Sequence, residues 1–357
     1  MISDDTMQEK QIYLYGLLNN NKKDFFCNND VTDREEIYTI PYSDISAIVC
    51  NTKFLDYFHA PKEILARQLI KHQKIIEGIM SSGNTIIPMR LGTFISNKSE
   101  VLYVLSKGYP IIKDIFKRVN NKIEFDLVAT WSDFNSVIKE VAEEKEIKEL
   151  KERLLANSKS ITIDDQMKIG AMISDGLVKK REKCSQKVKN YLSDCYVDLK
   201  IHELLNSGMI LNFALLIEKA KQIYFDTKVE QLNATFGGKV NFRYVGPLAP
   251  YSFYTFEIKR ITPKELTWAR KKLGLLDEYI GLNEIKKAYH RAAFLLHPDQ
   301  NPSSPVIEKN FSDLTKAYKL LEEFGQSCIQ ETKSENYIFN FNKENLNKDS
   351  IFIKVRT

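Results

Sequence analysis

The densest chemistry in the chain lies in one short stretch, LLHPDQNP, at Leu295–Pro302. His297, Pro298 and Asp299 set an ionisable ring, a fixed backbone angle and a carboxylate side by side. Pro298 disfavours helical geometry in the residue before it, so a helix arriving from the N-terminal side must stop here. Upstream, Lys286, Lys287, His290 and Arg291 fall mainly on one side of a helical projection. They lie opposite an apolar stripe of Leu282, Ile285, Tyr289, Ala292, Ala293 and Leu296. A cationic helix face that runs into a polar turn is either a solvated surface or a docking site, and the surroundings decide which.

Bond-making constellations are missing elsewhere. The chain has no Gly-rich phosphate loop, no GxSxG and no CxxC pair. His202 and Glu203 have no second His or Cys at ligand spacing, so no metal site is expected there. Paired Asp and Glu residues occur in charged helical stretches, where they read as solvated faces. No catalytic residue, cofactor or metal is expected. The cysteines, Cys27, Cys50, Cys184, Cys195 and Cys328, are scattered and odd in number, which reads as reduced structural thiols. Cys184 and Cys195, eleven positions apart, would share one face of a continuous helix. Tyr251, Phe253, Tyr254 and Phe256 read as core and sheet-face aromatics. No basic-aromatic RNA signature accompanies them, so no nucleic-acid partner is expected.

The elements that must position these residues follow from length and patterning. At 357 residues the chain exceeds one ordinary core, so two or three domains are expected. A hydrophobic fraction of 43% and a charged fraction of 28% are those of a globular protein, and the formal charge of +5 is small. No apolar run reaches the roughly 18 residues of a membrane span. The N-terminal stretch is acidic and polar, without the regions of a secretion signal, which points to the cytosol.

QIYLYGLL, ISAIVC, TIIPMRL and IEFDLVATW read as strands, with helices over Pro61–Gly83 and Ser99–Val119 between them. A charged helix at Val141–Leu155 and a second long helix running towards His202, capped by Asp164 or Asp165, suggest an antiparallel hairpin. GMILNFALLI and GGKVNFRYV are strands around a helix, and GPLAPYSFYTFEIKR is a turn leading into an aromatic strand. From Lys264 to about Phe324 the reading is wholly helical. The last stretch is polar, with two short apolar runs, YIFNF and IFIKV. It reads as a hairpin, or as a tail ordered only on a partner.

The segment holding LGL, EIKKAYHRAAFLLHPDQNP and FSDLTKAYKLL resembles the J domain of the DnaJ family over roughly 265–324. The resemblance implies that His297, Pro298 and Asp299 form the turn needed to stimulate a DnaK-type ATPase. Lys286, Lys287, His290 and Arg291 would be its docking face. The chain departs from the pattern at Leu295, where a basic residue is usual, and at Gln300, where lysine is common. No Gly/Phe-rich linker or zinc module follows, so client choice must lie elsewhere.

Residues 11–260 resemble the gas vesicle protein F and L family. The matching stretches are YLYGLL, YSDISAIV, HQKIIEGIMSSGNTIIPMRLGTFI, LNFALLI and FRYVGPLAPYSF. Leu248 and Ala249 stand where many members have tryptophan or proline. Motif residues carried over are His72, Gln73, Arg90, Gly92, Gly246, Pro247, Pro250 and Tyr251. From its own pattern His72 reads as a core or boundary residue, Gly92 as a turn residue and Arg90 as a partner for a carboxylate.

The combined expectation is an α+β protein. Two ferredoxin-like α+β lobes with a helical hairpin precede an all-α J domain. The boundaries are 8–131 for the first lobe, 132–205 for the hairpin, 206–262 for the rest of the second lobe, 263–326 for the J domain and 327–357 for the tail. The resemblances imply an accessory protein of gas vesicle assembly that binds the hydrophobic shell subunit and other accessory proteins. It would recruit a DnaK-type chaperone and work in the cytoplasm, in association with gas vesicles. The alternative is a DnaJ-type cochaperone for an unrelated client.

Overall fold

The computed structural model describes residues 10–23, 25–26, 36–57, 59–156, 162–296, 305–332, 338–341 and 350–356. The chain opens with strands β1 (Lys10–Leu18), β2 (Phe25–Phe26), β3 (Ile37–Tyr42) and β4 (Ile45–Lys53). Helix α1 (Lys62–Ser81), strands β5 (Ile86–Pro88) and β6 (Phe94–Ile95), and helix α2 (Lys98–Val119) follow. Then come β7 (Lys122–Trp131), α3 (Phe134–Ala142), α4 (Lys145–Ala156) and α5 (Ile163–Tyr191). Next are β8 (Tyr196–Ile201), β9 (Met209–Glu218), α6 (Gln222–Thr235), β10 (Val240–Leu248) and β11 (Thr255–Ile261). The last elements are α7 (Pro263–Lys272), β12 (Tyr279–Gly281), α8 (Leu282–Leu296), α9 (Pro305–Thr332), β13 (Ile338–Asn340) and β14 (Ser350–Arg356).

The elements form two compact units. The first takes residues up to Gly92 together with Tyr109–Thr255, and the second takes Thr93–Gly108 with Phe256–Arg356. In the first unit one antiparallel sheet runs β2-β3-β4-β1-β5. Its central strands are buried on both faces, from Ile12 to Leu18 and from Ile45 to Cys50. Helix α1 turns His72, Ile75, Ile76 and Ile79 inward, the i, i+3, i+4, i+7 stripe of an amphipathic helix.

The second sheet of this unit runs β10-β7-β9-β8, antiparallel throughout. Its strand–helix–strand–strand–helix–strand sequence gives it the ferredoxin-like order. Alternation along β7 sends Ile123, Phe125, Leu127, Ala129 and Trp131 into a core shared with Phe213, Leu215, Phe225 and Leu232. The intervening Glu124 and Asp126 therefore point to the opposite face.

Several sequence expectations are revised here. The boundary at 131 groups β7 with the first lobe, yet β7 is the centre of the second sheet. That fold needs a strand before its first helical crossover, and the hairpin is that crossover. The hairpin's first arm is two helices, α3 and α4, both packed on α5. Thr162, not Asp164 or Asp165, caps α5, in a reciprocal capping box with Asp165. Nor does that helix run to His202. It ends at Tyr191, and β8 pairs with β9, so Cys195 lies in the intervening turn with its side chain in the core.

In the second unit α7, α8 and α9 close on Leu266, Ala269, Ile285, Ala288, Leu314, Ala317 and Leu321. Thr262 and Glu265 form a capping box for α7, with Pro263 at its first position. Tyr289 stacks on Tyr318 at 4.3 Å between ring centres, joining α8 to α9. The unit is not wholly helical. The short strand β12 precedes α8 and pairs with β13, while β14 pairs with β11. The two apolar runs of the tail thus become strands without pairing with each other. The reason is burial: Phe339 and Phe341 are 1% and 3% exposed among the helices, and Arg270 lies over the Phe341 ring at 4.6 Å. The aromatic strand β11 leaves the second lobe for this unit. Glu323 on α9 holds Lys259 of β11 and also Lys354 of β14 at 3.3 Å.

Candidate functional site

Two regions carry the residues singled out from sequence. In the first unit, His72 lies in the middle of α1 and is 3% exposed. Its Nδ1 is 2.8 Å from the Tyr13 hydroxyl on β1, and that hydroxyl accepts the Gly92 N–H at 3.3 Å. Burial lowers the His72 pKa to about 4, so the ring is neutral at neutral pH. Burial raises the Tyr13 pKa, keeping its hydroxyl protonated. A neutral imidazole bonded to a phenol is no general base for a solvent-borne substrate. It ties together α1, β1 and the turn at Gly92. That turn needs glycine, since φ is +82° and a Cβ would lie 2.9 Å from the Tyr57 ring. Gln73 donates to Glu77 one turn along at 2.8 Å, and Arg90 is exposed.

The same helix leads to a cleft of about 560 Å³. Met80 and Ser81 line it from the last turn of α1, Ile123 from the start of β7, and Val245 to Leu248 from the end of β10. Glu77, Lys219 and Gln222 add its polar groups. The two family motifs therefore meet, since the helix that carries His72 and Gln73 ends beside Gly246 and Pro247. Gly246 permits a close crossing: a Cβ there would lie 2.5 Å from the Phe125 ring and 2.9 Å from the Glu124 carbonyl oxygen. The Gly246–Pro247 peptide is cis.

The turn after the cleft is held by a residue that the motif reading missed. Glu124 is fully buried, and its carboxyl group accepts the Ser252 N–H at 2.9 Å and the Ser252 hydroxyl at 2.7 Å. His202 Nε2 is 3.1 Å from the same hydroxyl. Desolvation is the main reason the Glu124 pKa rises to about 8, and neighbouring Asp126, itself raised by burial, adds to the rise. Two carboxyl groups on one face of a strand, partly dry, favour holding a proton between them. The signal was present in IEFDLVATW, where two acids at i and i+2 interrupt an apolar strand. Pro250 is buried, and its carbonyl accepts the Tyr254 N–H at 2.8 Å. The Tyr251 hydroxyl is buried, with no hydrogen-bond partner among the described residues. Burial first, then Glu77 and Glu124, raises its pKa and keeps it protonated.

The second region is α8. Ile285 and Ala288 are buried, whereas Lys286, Lys287, His290 and Arg291 are all exposed. Phe294 and Leu295, 66% and 70% exposed, extend that surface towards the helix end. His297, Pro298 and Asp299 lie outside the described residues. Among the described residues no His, Cys, Asp and Glu cluster suits a metal, and no helix is long and apolar enough to cross a membrane.

A family model described as gas vesicle synthesis protein GvpL/GvpF matches residues 11–255, and a DnaJ domain model matches residues 273–325. The chain is 23% identical over 189 residues to gas vesicle protein F of Nostoc sp. (strain PCC 7120 / SAG 25.82 / UTEX 2576), covering 52% of this chain and 77% of that protein. To gas vesicle protein F of Dolichospermum flosaquae it is 21% identical over 247 residues, 68% of this chain and 96% of the relative. Over 42 residues it is 45% identical to human DnaJ homolog subfamily B member 11, 12% of each chain. The crystal structure of gas vesicle protein GvpF from Anabaena sp. PCC7120 superposes with a TM-score of 0.60 at 22% identity, covering 68% of this chain and 97% of that one. At that identity the likeness establishes a shared fold.

Proposed function

Because the chain belongs to the GvpL/GvpF family of gas vesicle proteins and carries a DnaJ domain, we propose that it is an assembly chaperone for gas vesicles. Its first unit holds the hydrophobic shell subunit, and its second recruits a DnaK-type ATPase. Other vesicle accessory proteins share the pathway, which runs in the cytoplasm and at the vesicle surface. The observation that carries this reading is the coexistence, in one chain, of an apolar cleft framed by family-motif residues and an exposed cationic helix face. His72, Gln73, Gly92, Gly246, Pro247, Pro250 and Tyr251 serve as the frame that sets the cleft walls. Arg90 lies on the surface of the same unit.

The physics suits a holder. A shell subunit that must pack into a watertight wall exposes apolar surface while it is free. Two or three apolar side chains entering the cleft contribute about 2 kcal/mol each. Association and ordering offset several kcal/mol of that gain, leaving an affinity that can be reversed. Release coupled to ATP hydrolysis would then give directional transfer. The docking turn, His297–Asp299, and the cations of α8 would act on the ATPase and not on the client.

Capture of purified shell subunit and stimulation of DnaK-type ATP hydrolysis, both measured on the full chain, test the reading. Val245→Asp places a charge in the cleft and should remove capture while sparing stimulation. His297→Gln should do the reverse. Failure of the unaltered chain to capture the subunit would overturn the assembly-chaperone reading. Capture undisturbed by Val245→Asp would move the client off the cleft.

A further inference from the structure

We propose that the outer edge of β8 pairs with the β8 of a second copy of the chain, antiparallel about a two-fold axis at Leu199, joining the two second sheets into one. This inference is independent of the client reading. It begins with the position of β8, which ends the order β10-β7-β9-β8, with no further strand beside it among the described residues. The His202 N–H donates to the Asn212 carbonyl at 2.8 Å. In an antiparallel pair such groups alternate, so the main-chain groups of Lys200 also face β9, and those of Leu199 and Ile201 face outward. A second contact agrees: the Leu199 N–H donates to the side chain of Asp198 at 2.8 Å, where a strand partner would otherwise stand.

Edge strands are commonly blunted by charge. On β8 the charges are of opposite sign and flank Leu199 symmetrically, in the sequence VDLKI. Pairing about Leu199 sets its main-chain groups against those of Leu199 in the second copy. It also sets Asp198 opposite Lys200 of the second copy, twice, in the closer non-hydrogen-bonded positions. Axes through the neighbouring residues are excluded by the same rules. A two-fold at Asp198 or at Lys200 opposes like charges and faces inward-directed main-chain groups. The other edge, β10, carries Pro247, which has no N–H to offer a partner strand. Of the two edges of this sheet, β8 is the one with this self-complementary pattern, which points to a second copy of the chain as its occupant.

Sedimentation velocity of the full chain from about 5 to about 200 µM tests the proposal, with monomer and dimer in concentration-dependent exchange expected. Asp198→Lys opposes two lysines across each half of the axis and should raise the dimer dissociation constant at least about tenfold. Lys200→Asp should weaken it comparably from the other side. The double variant Asp198→Lys with Lys200→Asp restores both pairs and should return the constant to within about threefold of the starting value. Circular dichroism melting of each variant verifies that the monomer is folded. A monomer at every concentration overturns the proposal, as does a dimer indifferent to the single variants. A double variant no better than the singles overturns the Leu199 register.

Discussion

The cationic face of α8 comes from a few successive residues, Lys286 to Arg291, whereas the cleft takes its walls from α1, the start of β7, the entry to α6 and the end of β10. The α8 face needs only a helix whose other side is buried. Ile285 and Ala288 provide this, and the 3.6-residue period then turns the cations to solvent. The cleft has no such local rule. It exists because a ferredoxin-like sheet and helix α1 lie in the same unit, and because Gly246 lets β10 pass close against Phe125. A site on one helix should tolerate distant change and fail through its own charges and turn. A site built from four segments should be sensitive to whatever fixes the segments.

The largest expected effect tests the first half of that contrast. On the proposed reading, His297→Gln should reduce stimulation of a DnaK-type ATPase at least about tenfold, with little change in melting temperature, since the J-domain resemblance gives His297 a docking role. Steady-state ATP hydrolysis with full-length protein measures it. Undiminished stimulation would break the assignment of the turn.

Next in size is Phe339→Ala. Phe339 lies beyond the matched DnaJ residues 273–325, yet it is buried beside Phe324, with ring centres 5.8 Å apart. Loss of a buried phenylalanine should lower the stability of the second unit by about 3–5 kcal/mol. The two tryptophans separate the units, Trp131 on β7 and Trp268 on α7. Fluorescence-monitored unfolding in a Trp131→Phe background reads the second unit alone. A shift below about 1 kcal/mol would show that the tail is dispensable to the J region.

Glu124→Gln sharpens the other half. The Glu124 pKa is raised from 4.5 to about 8 in the folded chain, so the folded state holds a proton that the unfolded state releases. Its contribution is fully present below 4.5 and is lost as the pH rises through about 8. Unfolding of the first unit, followed in a Trp268→Phe background, should weaken across that window, and Glu124→Gln should flatten the dependence. An equal slope in both proteins would place the pH sensitivity elsewhere.

The smallest effect is electrostatic. Reversing Lys286 and Lys287 to Glu should slow association with the ATPase about threefold to tenfold at low salt and less at high salt. A dissociation rate changed more than the association rate would make these residues contact anchors, not steering charges.

Legibility followed the same line. The α8 stripe and its cations are local patterns, and they were readable from composition at helical spacing. Strands β1, β4 and β9 were also readable, because burial on both faces enforces long apolar runs, and β7 was readable from its apolar alternation. Strand β8 was not. YVDLKI is an edge strand with half-exposed residues and a register shift, and the helix before it has no glycine to mark its end. The tail was misread for a related reason, since FNF is short and its burial depends on helices in another part of the sequence.

By itself, then, the sequence determined where helices and buried strands form, which helix face carries cations, and which family motifs are present. Those properties depend on neighbours a few residues away. Only the tertiary structure decided that β7 belongs with β9 and β10, that the helix ending with Ser81 and the strand ending with Leu248 share a cleft, and that Glu124 holds Ser252. Strand pairing and burial of a carboxyl group depend on which surfaces exclude water together. That is fixed by contacts between segments more than a hundred residues apart, such as Glu124 and Ser252, and not by the local period of either segment.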